Sequence, residues 1–142
     1  MRRLRVGFLL VLALSAGLAA CRPGERKAPT MRLWTDTYEF ILSTDPVPPR
    51  ARERTVYKVV VLDKETRQPV DGGEGQVFAS SRDGRNIYDG LAAGPELGTY
   101  YGTLNYVTAG DWAVAVRFRR DSTKPLERAD WMQTVSKARE NF

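Results

Sequence analysis

The chain has 142 residues, which suffice for one domain but hardly for two. Its composition, 42% hydrophobic and 27% charged, is close to that of soluble globular proteins. It contains no histidine and one cysteine, which excludes imidazole acid–base chemistry, histidine metal sites, thiolate zinc clusters and an internal disulfide. The formal charge is +5, but three arginines lie in an amino-terminal segment that we expect to be removed. The remaining 19 basic and 17 acidic residues give +2, which is no signature of nucleic-acid binding.

The first residues have the pattern of a signal peptide. Three arginines precede an uncharged run of 15 residues, 6–20, which is shorter than the roughly 20 apolar residues of a transmembrane helix. The run ends in Leu18-Ala19-Ala20-Cys21, which resembles a bacterial lipobox, where the cysteine thiol is lipidated and the chain is cut before it. The alternative is an ordinary secretory signal followed by an unrelated cysteine. We predict a lipoprotein signal peptide over 1–20 and lipidation of Cys21.

The domain organisation follows from this signal. Residues 21–32 include a stretch rich in proline, charge and small residues, which predicts a lipidated cysteine followed by a flexible tether. The folded domain is then expected over 33–142. Arg22 is not the aspartate that retains lipoproteins of enteric bacteria in the inner membrane. By that resemblance we expect the protein on the periplasmic side of the cell envelope, anchored in the outer membrane.

Alternation of apolar and polar residues predicts a run of β-strands after the tether. The alternation is clearest where Trp112, Val114, Val116 and Phe118 share one face, which favours a core role for Trp112. Proline and glycine clusters separate the segments. We predict strands over 33–43, 55–63, 76–81, 87–91, 98–107, 111–119 and 127–136. Short strands at this spacing predict an all-β fold, an antiparallel immunoglobulin-like β-sandwich of about seven strands.

The last segment fits two structures. Trp131, Val135, Ala138 and Phe142 have the spacing of a helical stripe, whereas Trp131, Gln133 and Val135 share one face of a strand. We favour a strand over 127–136, because the five-residue connection from the preceding strand suits a hairpin.

Several short motifs together resemble the FixH/YtkA-like domains, which are extracytoplasmic immunoglobulin-like sandwiches. The resemblance covers roughly residues 40–118. It consists of a Pro-Pro step, an alternating strand that ends in an aspartate, a Pro-Val turn, a Gly-x-Tyr and a Gly-x-Trp that opens an alternating strand. These motifs are Pro48-Pro49, Tyr57 to Asp63, Pro69-Val70, Gly98-Thr99-Tyr100 and Gly110-Asp111-Trp112.

The resemblance implies a role in copper handling or oxidase assembly. Domains of this family often carry methionine or histidine in their middle strands, but the corresponding stretch here, 76–97, contains neither. Outside the signal peptide, the only methionines are Met31 and Met132. A soft copper site needs several sulfur or imidazole ligands close together, so we assign no metal residue and no cofactor.

The sequence offers little for catalysis. No histidine can activate a serine, the cysteine is expected to carry lipid, and no Ser-x-x-Lys motif occurs. Carboxylate pairs such as Asp36 with Glu39 are better explained as solvated surface. We therefore predict no enzymatic activity and no catalytic residue.

Four residues are candidates for a contact surface. Arg50, Arg52 and Arg54 alternate, so an extended chain would place them on one face, where Arg117, Arg119 and Arg120 could join them. Such charge can protect a sheet edge from pairing, or it can attract anionic lipid headgroups. Tyr101 is adjacent to Tyr100, so the two side chains point to opposite faces of a strand and one of them is expected to be exposed.

These observations lead to one functional hypothesis and one alternative. The hypothesis is a lipid-anchored, non-catalytic β-sandwich module that acts by contact with another envelope protein or component. The alternative, from the family resemblance, is an accessory role in metal handling or respiratory-complex assembly. The expected partners are the membrane through Cys21 and an envelope protein, without nucleic acid. The sequence specifies no small-molecule ligand.

Overall fold

A computed structural model describes residues 27–140, so the predicted signal peptide, Cys21 and residues 22–26 lie outside the described residues. Within this range no helix is long and apolar enough to cross a membrane. The described chain forms nine β-strands: β1 Met31–Trp34, β2 Tyr38–Asp45, β3 Arg54–Asp63, β4 Glu74–Ser81, β5 Asn86–Gly90, β6 Ala92–Ala93, β7 Thr99–Asn105, β8 Gly110–Arg119 and β9 Glu127–Val135.

The strands build two antiparallel sheets. One has the order β1-β2-β3-β7-β6 and the other has the order β5-β4-β8-β9. Strands β2-β3-β7-β6 follow the A-B-E-D order of an immunoglobulin constant-type sheet, and β4-β8-β9 follow the C-F-G order of its partner. The predicted all-β antiparallel sandwich is confirmed, with nine strands instead of about seven because β1 and β6 are additional short strands.

The prediction of one strand over 33–43 is wrong. The chain reverses at residues 35–37, so that Leu33 on β1 pairs with Phe40 on β2. The reversal is local chemistry, because the Thr35 N–H donates to the Tyr38 carbonyl and the Thr35 hydroxyl accepts from the Tyr38 N–H. The first strand also begins at Met31, two residues before the predicted domain boundary.

The core lies between the sheets and is rich in aromatic side chains. Trp112, Val114, Val116 and Phe118 are all buried, as predicted. The Phe118 ring packs edge-on against Tyr38 and Tyr100 of the opposite sheet, with ring centroids 5.2 and 5.1 Å apart. The strand with the clearest alternation in the sequence, β8, therefore supplies side chains to the centre of the core.

Strand β9 confirms the predicted final strand. It pairs with β8 along its whole length, from Gly110 opposite Val135 to Phe118 opposite Glu127. Val135 is buried and Trp131 packs against Tyr57, with ring centroids 6.1 Å apart. The helical alternative is wrong for residues 127–135, and Phe142 lies outside the described residues.

Gly98 occupies a position where a side chain would not fit. Its φ is +67°, and a Cβ there would lie 2.7 Å from Pro69 Cβ and 3.0 Å from the Val61 carbonyl oxygen. We predict that Gly98→Ala lowers the free energy of unfolding by about 2–5 kcal/mol, since left-handed backbone costs about 1–2 and overpacking about 1–3. Urea denaturation measures the loss.

Gly84 supplies a matched control for this prediction. Its φ is +86°, but a Cβ would meet nothing within 4 Å. Gly84→Ala should therefore lose only the backbone component, about 1–2 kcal/mol. Equal losses for the two variants would show that crowding against Pro69 contributes nothing.

Candidate contact surfaces

The strand registers divide the sandwich into two ends. Loop 46–53 between β2 and β3 lies at the same end as loops 82–85 and 106–109, because Arg54 pairs with Asn105 and Ser81 pairs with Trp112. Met31 pairs with Leu42, so the amino-terminal residues 27–30 also reach this end. We call residues 27–30, 45–54, 82–85, 106–111 and 136–140 the proximal end. Residues 35–37, 63–74, 94–98 and 119–127 form the distal end.

The two ends carry opposite charge. The proximal end has eight basic side chains and five acidic ones, a net +3, and the distal end has five basic and eight acidic ones, a net −3. The proximal charges are Lys27, Arg50, Arg52, Arg54, Arg82, Arg85, Lys137 and Arg139 against Asp45, Glu53, Asp83, Asp111 and Glu140. The distal charges are Lys64, Arg67, Arg119, Arg120 and Lys124 against Asp36, Asp63, Glu65, Asp71, Glu74, Glu96, Asp121 and Glu127.

The structure separates the six arginines that could have formed one basic patch. Arg119 pairs with Glu74 at the distal end, where Arg120 also lies 3.0 Å from Asp63. The segment with Arg50, Arg52 and Arg54 lies at the proximal end. It is a turn instead of an extended strand, since Arg52 has a φ of 62°. The prediction that an extended chain places these three arginines on one face is therefore wrong.

Arg50, Arg52 and Arg54 nevertheless remain available for contacts. The turn is fixed by backbone hydrogen bonds from Ala51 N–H to the Ser136 carbonyl and from Arg52 N–H to the Tyr106 carbonyl. None of the three arginines forms an ion pair within residues 27–140. Arg52 and Arg54 are exposed, and Arg50 is half-buried.

Arg52 lines a groove of about 610 Å³ at the proximal end, which we call the proximal groove. Three cationic side chains, one carboxylate and several small apolar groups form it. They are Ala51, Arg52, Val107, Thr108, Ala109, Lys137, Ala138, Arg139 and Glu140. A second groove, of about 590 Å³, lies on the other side of Thr108 and Ala109 and includes Arg82.

Two ion pairs offset part of the positive charge at this end. Arg139 lies 3.5 Å from Glu53, and Arg85 lies 3.2 Å from Asp83. The Ser81 hydroxyl, which donates to Asp83, and the nearby Arg85 guanidinium hold the pKa of the Asp83 carboxyl below its usual value. Arg52 and Lys137 form no ion pair within residues 27–140, so the lining of the proximal groove keeps a net positive charge.

Tyr101 lies on the outer face of the five-stranded sheet, opposite Lys58 on β3 and Ala92 on β6. Its neighbour Tyr100 points inward and is buried, so the two tyrosines point to opposite faces as predicted, but neither of them is fully exposed. Tyr101 itself is half-buried, and its ring packs closely over Gly94. The structure does not bring it to Arg50 or Arg52, which lie at the proximal end.

Sequence reasoning missed a more exposed aromatic surface on the outer face of the four-stranded sheet. Phe78 on β4 lies opposite Tyr88 on β5, which is 75% exposed. The guanidinium carbons of Arg117 and Arg128 lie 4.8 and 4.9 Å from the centroid of the Phe78 ring. Two cation–π contacts therefore hold one aromatic ring on a solvent-facing sheet.

Register places further residues around Phe78. Ala115 is its neighbour on β8, and Met132 on β9 lies opposite Ala113 in the next row. Met132 is 67% exposed. Asp130 on β9 lies opposite Ala115, in the row of Phe78, and forms an ion pair with Arg128. We call the outward side chains of Phe78, Tyr88, Ala113, Ala115, Arg117, Arg128, Asp130 and Met132 the Phe78 face. The predicted alternation in β4 and β8 implied that these side chains point away from the core, but it did not show that they are neighbours.

A cleft of about 250 Å³ lies at the edge of the sandwich between β2 and β9. Met31 and Met132 both line it, as does Trp131, whose indole nitrogen has no hydrogen-bond partner among the described residues. Across residues 27–140, no group of three or more histidine, cysteine, aspartate or glutamate side chains is placed to hold a metal ion.

The carboxylate of Glu39 is the most buried charged group that the structure describes, with 1% exposure. Arg32 of β1 and Arg67 of the β3–β4 loop both form ion pairs with it. Asp36, its possible catalytic partner in the sequence, is exposed in the β1–β2 turn. Glu39 therefore ties β1 and a distal loop to the outer surface of the five-stranded sheet.

No model of a known protein family matches the chain, and no curated protein matches it.

Proposed function

We propose that the protein is a lipid-anchored, non-catalytic β-sandwich module that works by contact with another protein of the cell envelope. The lipobox-like Leu18-Ala19-Ala20-Cys21 supports the anchor, and the Phe78 face supports the contact. Aromatic residues, methionine and arginine are the types enriched at protein interfaces, and all three meet on this face. The Phe78 face is the observation that carries the proposal.

The size of the face limits the kind of contact. Four strands about 4.8 Å apart and three rows about 7 Å apart cover on the order of 200 Å². A standard interface buries about 800 Å² on each partner. The Phe78 face is therefore the centre of a larger footprint or the whole of a transient contact.

Cross-linking from the Phe78 face should test this proposal in cells. A photoreactive amino acid at Tyr88 of the full-length chain should cross-link to an envelope protein, whereas the same group at Ser122, exposed at the distal end, should not. Phe78→Ala should reduce the yield from position 88 about tenfold, as expected when an interface anchor worth about 1.4 kcal/mol is lost.

The pattern of cross-links decides the outcome. Equal products from positions 88 and 122 would contradict a contact at the Phe78 face. An unchanged yield in Phe78→Ala would show that Tyr88 touches the partner without the neighbouring ring being part of the interface.

A further inference from the structure

We propose that the proximal end docks on the anionic lipid headgroups of the membrane that holds the protein, so that the sandwich stands with its distal end away from the bilayer. This inference rests on the proposed lipid anchor at Cys21. It adds a second, electrostatic contact and a defined orientation.

Chain geometry brings the proximal end to the membrane. Residue 27 lies at this end, and the six peptide steps from Cys21 to Lys27 can span at most about 22 Å. The long dimension of the sandwich follows its ten-residue strands and is about 33 Å. If the distal end touched the membrane and the proximal end pointed away, residue 27 would lie about 33 Å from the bilayer, which is farther than the tether reaches. The tether length alone therefore favours proximal-end contact.

Charge complementarity acts in the same direction. The proximal end carries a net +3 and the distal end a net −3, so an anionic surface attracts one end and repels the other. Each basic residue near such a surface strengthens association about fivefold. Arg52, Lys137 and Arg139 line one groove together with the carboxylate of Glu140, and within residues 27–140 only Arg139 of the three cations forms an ion pair.

The residues that line the proximal groove suit lipid headgroups. Phosphate oxygens would be held by the guanidinium and ammonium groups of Arg52 and Lys137. Val107, 41% exposed, and Ala109 line the same groove and add small apolar groups to it. Loop 106–109 is supported from within, because the Trp112 indole nitrogen donates to the Thr108 carbonyl at 3.1 Å.

Depth-sensitive fluorescence on the full-length lipidated chain tests the orientation. Single cysteines replace Val107 at the proximal end and Leu97 at the distal end, and each is labelled with a fluorophore. The proteins are reconstituted in phosphatidylcholine vesicles with or without 30% phosphatidylglycerol, and a headgroup nitroxide lipid serves as quencher. Position 107 should be strongly quenched in anionic vesicles, less in neutral ones, and position 97 in neither.

Charge reversal provides the matched variants. Arg52→Glu with Lys137→Glu should lower the ratio of docked to undocked protein at least about 25-fold, since two fivefold contributions are removed and two repelling carboxylates are added. Lys64→Glu with Lys124→Glu makes the same change in net charge at the distal end and should leave quenching at position 107 unchanged. The urea midpoints of the two double variants show whether each of them still folds.

The outcomes separate this inference from the anchor on which it rests. Protein that fails to float with vesicles in high salt, or labelling of Cys21 in the parent chain, would overturn the lipid anchor. Floating protein with equal quenching at positions 97 and 107, or with equal quenching in neutral and anionic vesicles, would overturn the docking alone.

Discussion

Replacing Trp112 with alanine should lower the free energy of unfolding by about 3–5 kcal/mol. The side chain is 1% exposed, and its ring packs edge-on against Tyr106 at a centroid distance of 5.2 Å. Alanine would leave a cavity beside Tyr106, which lies in the loop that joins β7 of one sheet to β8 of the other. Because domains of this size are stable by only about 5–15 kcal/mol, we expect a marginally folded protein.

Urea denaturation followed by circular dichroism measures the Trp112 loss. Trp34→Ala is the matched control, since Trp34 is 55% exposed and its truncation should change stability by about 0.5 kcal/mol or less. Similar losses for both tryptophans would contradict the assignment of Trp112 to the core.

Trp112 also connects the core to the proposed membrane contact. The indole N–H donates to Thr108 in loop 106–109. Trp112→Phe keeps most of the packing but removes this hydrogen bond, at a cost of about 1 kcal/mol. We expect this variant to fold and to loosen the loop beside the proximal groove.

The protein should lose stability steeply above pH 10 because two buried tyrosines cannot ionise in the folded state. The hydroxyls of Tyr57 and Tyr106 are hydrogen-bonded to each other, and both side chains are fully buried. Burial, followed by the proximity of Tyr106, raises the pKa of Tyr57 far above its usual range. Burial raises the pKa of Tyr106 to about 12, although its hydrogen bond with Tyr57 acts in the opposite direction.

The sign follows from proton linkage. An unfolded tyrosine has a pKa of about 10, so between pH 10 and 12 the unfolded chain releases protons that the folded chain retains. The stabilising contribution is complete below pH 10 and is lost as the pH rises towards 12. Each tyrosine then contributes a slope of about 1.4 kcal/mol per pH unit.

Urea midpoints between pH 9 and 11.5 measure this slope. The Tyr57→Phe, Tyr106→Phe double variant should show a distinctly flatter dependence, since lysine titration is common to both proteins. Tyr88→Phe removes an exposed tyrosine and should keep the parent slope. A double variant as steep as the parent would mean that the pair ionises in the folded state.

Local sequence pattern suffices to predict strands that pair with their neighbours along the chain. The alternation in β8 and β9 predicted both strands and their pairing, because a hairpin between adjacent strands needs only local contacts. The same alternation misled at residues 33–43. Trp34 and Tyr38 have the even spacing expected of residues on one face of a single strand. The chain nevertheless reverses between them, because Thr35 and Tyr38 are joined by hydrogen bonds.

The candidate surfaces depended more on tertiary structure. Arg50, Arg52 and Arg54 form a basic segment whatever the fold, but a turn with φ of 62° at Arg52 decides which way they point. The Phe78 face is assembled from β4, β5, β8 and β9, which span residues 74–135. No local sequence pattern indicates that β4 pairs with β8, so the neighbours of Phe78 could not be predicted from the sequence.

By itself, the sequence determined the all-β class, the buried faces of the long strands and the lipobox-like cysteine, because these depend on residue type and on spacing within a few positions. Only the tertiary structure decided that positive and negative charges collect at opposite ends and that an aromatic ring lies between two guanidiniums. The physical reason is that register and sheet order bring residues together across the chain, whereas periodicity reports only which face a side chain occupies.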